Sequence, residues 1–173
     1  FMYRAAGLVL IIVAGAGLGF SGSRAMEDEL ESLNQMLRMA GYLKGEIRYG
    51  NASLYDAFCG AATRLPGVYG MLLRDAAGYM KERTGESLEE IMARSVKSHQ
   101  SELGCPEKVK EDFCMLGRYL GYLDLDMQLR ELTRYENSLE ERLDAVKREL
   151  PGKRKIYRSM GILGGILMAV LLM

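Results

Sequence analysis

The C-terminal stretch restricts this chain more than any other part of it. Leu125, Leu132, Leu139 and Val146 recur every seventh position, with Leu129, Leu143 and Leu150 at the interleaved places. A seam of that period belongs to a helix that lies along another helix. The spacing predicts a continuous helix over 125–150, about 39 Å long at the helical rise of about 1.5 Å per residue. Glu136 stands where the period requires a hydrophobe, with Tyr135 beside it as a substitute. Beyond Pro151 and Gly152 come Lys153, Arg154, Lys155 and Arg158, and then 159–173, which carries no charged side chain. A basic cluster followed by an apolar run predicts a membrane anchor.

The other end matches. From Ala5 to Ser23 there is no charge, a length that crosses a hydrocarbon layer of about 30 Å as a helix. The chain therefore divides into an N-terminal transmembrane helix over 5–23, a helical bundle over 24–152, and a basic flank with a C-terminal transmembrane helix over 153–173. The second span is short, about 22 Å at the helical rise, and calls for snorkelling basic side chains or a thinned bilayer. Gly15 and Gly19 in one stretch, and Gly161 and Gly165 in the other, are four apart; such spacing lets helices pack closely in lipid, the competing reading being that glycine is simply common in membrane helices. A competing reading makes the first stretch a cleaved secretory leader with Arg4 as its basic end. The arginine inside Ser23-Arg24-Ala25 makes a poor cleavage site for it.

The segment between the anchors is helical throughout. Met26, Leu33, Ala40 and Ile47 are one heptad apart, with Leu30 and Leu37 interleaved until Lys44 interrupts them beside Leu43. Four shorter amphipathic helices follow, over about 54–65, 68–83, 88–96 and 106–122, each bounded by turn or cap residues such as Pro66-Gly67, Thr84-Gly85, Ser87 with Glu90, and Pro106. No segment alternates apolar and polar residues as a strand does. The fold class is all-α: a membrane-anchored antiparallel bundle of about six helices. Two long helices that each run into a membrane span stand side by side on one face. Their charges agree, because Glu27, Asp28, Glu29 and Glu31 open the first while Lys147, Arg148 and Lys153 to Lys155 end the last. Lysine and arginine crowd the inner flanks of both spans, which places the bundle in the cytoplasm.

Chemistry is sparse. Lysine plus arginine balance aspartate plus glutamate at 23 each, so no charge excess points to nucleic acid. The cysteines, Cys59, Cys105 and Cys114, form an odd set that fits a reducing compartment better than a disulfide framework. His99 is the sole histidine. With Cys105 and Cys114 it defines a third reading, a membrane-bound thiol or metal enzyme, although the spacings match no zinc pattern. There is no P-loop, so any energy comes from a partner, and carboxylates such as Glu46, Asp56 and Asp75 are scattered. No catalytic residue, cofactor or metal ligand is assigned.

Glu46-Ile47-Arg48-Tyr49-Gly50 with Leu54, then Leu116-Gly117-Arg118-Tyr119-Leu120-Gly121 with Asp124 and Gln128, and the ending from Gly161-Ile162-Leu163 to Leu171-Leu172-Met173 together resemble the stage III sporulation protein AB family of endospore-forming bacteria. The likeness covers the chain in length, helix order and both anchors. Ser53 departs from it, since the family often has proline before the leucine. The resemblance implies a non-enzymatic subunit of the mother-cell membrane that faces the forespore. It also implies a bundle similar to the cytoplasmic domains of type II secretion and type IV pilus platform proteins. The implied partners are a cytoplasmic ATPase, the stage III AA protein, other stage III A membrane proteins, and the lipid bilayer; a second copy of the chain is compatible, nucleic acid is not. On this reading the long helix pair is a stalk, the shorter helices form a head, and Arg118, Asp124 and Gln128 are candidate protein contacts. Gly117 and Gly121 then serve close packing inside the head or the approach of another helix.

Overall fold

The computed structural model describes residues 2–49, 53–82 and 84–171, with side chains for 24–49, 53–82, 84–152, 156 and 159. It contains α1 (Met2–Tyr49), α2 (Leu54–Arg64), α3 (Gly67–Lys81), α4 (Leu88–Ser98), α5 (Glu107–Tyr122) and α6 (Leu125–Leu171). Among the described residues there is no strand, so the all-α reading holds. The chain separates into two compact units. One gathers Phe1–Leu30 and Asp144–Met173, and the other is Glu31–Leu143, inside the 24–152 segment that the sequence suggests for the bundle.

In the first unit the backbone is helical in both arms, and α6 passes through Pro151 and Gly152. Among the described residues no helix is long and apolar enough to cross a membrane. The apolar stretches 5–23 and 160–173, with Gly15, Gly19, Gly161 and Gly165, lie outside the residues whose side chains are described.

The Glu31–Leu143 unit is built on the two seams. From α1, Leu33, Met36, Met39, Ala40, Leu43 and Ile47 are buried; from α6, Leu132, Tyr135, Leu139 and Leu143 are buried. The two residues that interrupt the heptads meet each other, because Lys44 forms an ion pair with Glu136. Their neighbours Leu43 and Tyr135 take the core positions. Each large buried side chain stabilises by about 1.5–3 kcal/mol, whereas a partly exposed ion pair adds about 0.2–1 kcal/mol. The seam thus holds the helices together, and the Lys44–Glu136 pair selects their register. Leu125 departs from the expected seam and is 50% exposed. Counted in antiparallel register from the Lys44–Glu136 pair, it falls beyond Tyr49, where α1 has ended.

The shorter helices close over this pair. Ser53 caps α2 by accepting from the Asp56 N–H at 3.3 Å. The α2–α3 corner turns at Pro66 and Gly67, whose φ of 63° favours glycine. The Ser95 hydroxyl of α4, fully buried, donates to the Leu72 carbonyl of α3 at 2.6 Å. At the same junction the Arg94 guanidinium lies 3.9 Å from the Tyr79 ring centroid and bridges Glu82 and Glu86. Ser87 and Glu90 form the reciprocal capping box that their spacing suggests. Tyr135 of α6 packs on Phe113 of α5 with ring centroids 6.4 Å apart, and its hydroxyl donates to the Val109 carbonyl at 3.4 Å.

Candidate interaction site

The junction of α4, α5 and the start of α6 holds the three residues read as contact candidates. Two small-residue positions on α5 set its geometry. At Gly117 a Cβ would lie 2.9 Å from the Glu89 backbone and 2.8 Å from the Met92 sulfur, so α5 runs directly against the first turn of α4. At Gly121 a Cβ would meet Leu88 at an ordinary 3.6 Å. Gly117 thus serves packing inside the head.

That approach puts Arg118 beside Glu89. Its Nε donates to one carboxylate oxygen at 2.8 Å and its Nη2 to the other at 3.0 Å, a two-point fork. The carboxylate raises the Arg118 pKa above its ordinary value and secures its charge. Asp124 caps α6 by accepting from the Met127 N–H at 2.9 Å. Gln128 is half-buried, and its amide donates to the Leu120 and Leu123 carbonyls at 2.9 and 3.0 Å. It thereby satisfies carbonyls that the end of α5 leaves open. Asp124 and Gln128 shape the α5–α6 corner, whereas Arg118 keeps an exposed, charged surface.

The same corner exposes apolar side chains that the sequence reading did not single out as surface. Tyr122 is 81% exposed and Met127 is 44% exposed, next to Leu125. Heptad position alone hides this; the signal was the placement of Tyr122 and Leu125 on either side of a helix break, where seam partners run out.

The groups weighed for catalysis are held apart or engaged elsewhere. His99 ends α4, and its Nε2 lies 2.8 Å from Asp75 of α3. Its buried Nδ1 has no hydrogen-bond partner and sits 3.6 Å from Glu102. Cys105 is buried, and burial pushes the Cys114 thiol up to about 11, the opposite of an activated nucleophile. Among the described residues no group of three or more histidine, cysteine, aspartate or glutamate side chains is gathered for a metal. Burial likewise pushes Tyr69 up to about 12 and raises Tyr135 well above its ordinary value, as expected of core phenols.

An all-helical bundle with long first and last helices, and a corner of charged and apolar surface, is the class of protein that the described residues define. The fold is shared with a solved structure of stage III sporulation protein AB, at a TM-score of 0.64 and 18% identity, over 72% of this chain and 97% of that one. The stage III sporulation protein AB of Bacillus subtilis (strain 168) is 24% identical over 172 residues, 99% of this chain and 100% of that protein. The family description "Stage III sporulation protein AB" matches residues 4–173, and the chain belongs to that family.

Proposed function

We propose that the protein acts in sporulation as a non-enzymatic platform subunit of the mother-cell membrane that couples a cytoplasmic ATPase to a channel facing the forespore. The observation that carries this reading is the family match, which runs from residue 4 to residue 173 and so takes in both apolar ends as well as the bundle. The sequence supports the rest. Apolar stretches lie at 5–23 and 159–173, lysine and arginine crowd their inner flanks, and no P-loop is present. The α1–α6 pair serves as a stalk, and the head formed by α2 to α5 offers surface to the ATPase, the stage III AA protein, and to other stage III A membrane proteins.

Site-specific cross-linking from α4 and α5 in sporulating cells tests the reading by naming the partner. The expected adduct is with the ATPase or another protein of the same group; adducts to neither contradict the proposal. Arg118→Glu should reduce co-purification with the ATPase. Because Arg118 is bonded to Glu89, the exchanged pair Arg118→Glu with Glu89→Arg serves as control. Capture that stays low in the exchanged pair assigns Arg118 to the docking surface, and capture that recovers assigns it to the fold.

A further inference from the structure

The α1–α6 pair carries a groove of about 450 Å³ on the Glu31–Leu143 unit. Lys44 and Arg48 of α1 and Arg130 and Arg134 of α6 line it, with Thr133, Asn137 and Leu129 between them. A chain of zero net charge thus concentrates four cations on two facing helix surfaces. Lys44 has Glu136 as its partner, while Arg48 lies only over the Tyr49 ring, at 5.4 Å. Among the described residues Arg48, Arg130 and Arg134 form no ion pair with a carboxylate.

Each pair of cations is spaced one helical turn apart. Like charges at that spacing destabilise an isolated helix; Glu136 offsets this at Lys44, while the other three cations line the groove with no carboxylate bonded to them among the described residues. The groove also has an apolar side. Leu129 is half-buried at its lining, and Leu125, one turn earlier on the same face of α6, is 50% exposed. A free phosphate would use the cations and leave the leucines in water. A helix carrying carboxylates one turn apart, about 6 Å along its axis, beside an apolar residue answers both halves of the surface.

We propose that this groove docks an amphipathic helix of a partner protein that presents glutamates or aspartates one turn apart, flanked by an apolar side chain that meets Leu125 and Leu129. The inference concerns the 31–143 unit alone and stands whether or not the termini span a membrane.

The test uses the full chain in a neutral detergent and a fluorescein-labelled helical peptide of alanine and leucine bearing glutamates one turn apart, read by anisotropy. The glutamate peptide should bind at least about tenfold tighter than its glutamine counterpart at low salt, and raised salt should erase most of that preference. Arg130→Gln with Arg134→Gln should weaken binding about tenfold, while Arg74→Glu, on an exposed face of α3, should leave it unchanged. Glutamine is about as good a helix former as arginine, so the exchange keeps the helix folded. Leu129→Ala should weaken the peptide severalfold in a variant whose helical signal is intact. Equal affinity for the two peptides, or equal loss in the Arg74 variant, overturns the proposal. Competition by inorganic phosphate at concentrations that match the peptide, or binding to phosphatidylglycerol vesicles that the arginine pair controls without peptide preference, reassigns the groove to a free anion or a lipid headgroup and overturns it too.

Discussion

One substitution made at two places on α3 should have opposite effects. At Gly70 an added Cβ would lie 2.3 Å from the Leu65 carbonyl oxygen and 3.0 Å from that of Ala62, whereas ordinary contact begins at 3.4 Å. The obstacle is backbone held by the Pro66–Gly67 turn, so the α2–α3 corner must open by about 1 Å to admit it. At Gly78, exposed on the same helix, an added Cβ meets nothing within 4 Å. Gly78→Ala therefore gains only helix propensity, about 0.5–1 kcal/mol. Gly70→Ala gains at most the same and loses about 1–3 kcal/mol to overpacking, a net destabilisation of about 1–2 kcal/mol. For a chain of this size that separation amounts to several degrees of melting temperature, at about 2–4 °C per kcal/mol. Thermal and urea unfolding of the full chain in detergent, followed by helical circular dichroism, measures both. A Gly70→Ala variant as stable as the parent, or a destabilised Gly78→Ala variant, would refute the packing described for the corner.

Three further outcomes are expected. Replacing Lys44 or Glu136 alone with leucine should cost about 1 kcal/mol by leaving its partner unpaired at the seam, while the double replacement should recover the loss or exceed it; urea midpoints in a double-mutant cycle check this. Hydrogen bonds from the Ser87 backbone N–H and hydroxyl hold the Glu90 carboxyl below its ordinary pKa. Its stabilising effect is thus full above the ordinary carboxylate value and is lost as pH falls through the lower folded value; Glu90→Gln should blunt that acid sensitivity, and Ser87→Ala should cost about 1 kcal/mol at neutral pH. Cys114, with its thiol pushed up to about 11 by burial, should be alkylated by iodoacetamide far more slowly in the native protein than in urea at about pH 8, and equal rates by peptide mass would contradict its environment.

The helices were legible because their signals are local. Ser87 with Glu90 acts within one turn of chain, and the structure uses that pair as read; Pro106, expected as the first residue of α5, stands one place earlier as its N-cap. The heptads of α1 and α6 also announced that the two helices need cover. What the sequence could not display was which defect faced which. Lys44 and Glu136 each looked like a flaw in its own seam, and only their meeting across 92 positions turns them into a register mark. The same limit hid the cationic groove, since Lys44 and Arg48 are far in sequence from Arg130 and Arg134. Arg118 was visible as a candidate, but its fork on Glu89 depends on Gly117 admitting α4, a contact between separate helices.

The central proposal is that both apolar ends hold the bundle on the cytoplasmic face of the mother-cell membrane. Protease protection on sporulating cells and on inverted membrane vesicles measures it most directly, using the exposed α3–α4 turn near Gly85 as the cleavage site. The account predicts that this turn is protected in intact protoplasts and cut in inverted vesicles, with both terminal fragments remaining in the membrane. Cutting in protoplasts, or release of the N-terminal fragment as a soluble piece, would contradict it.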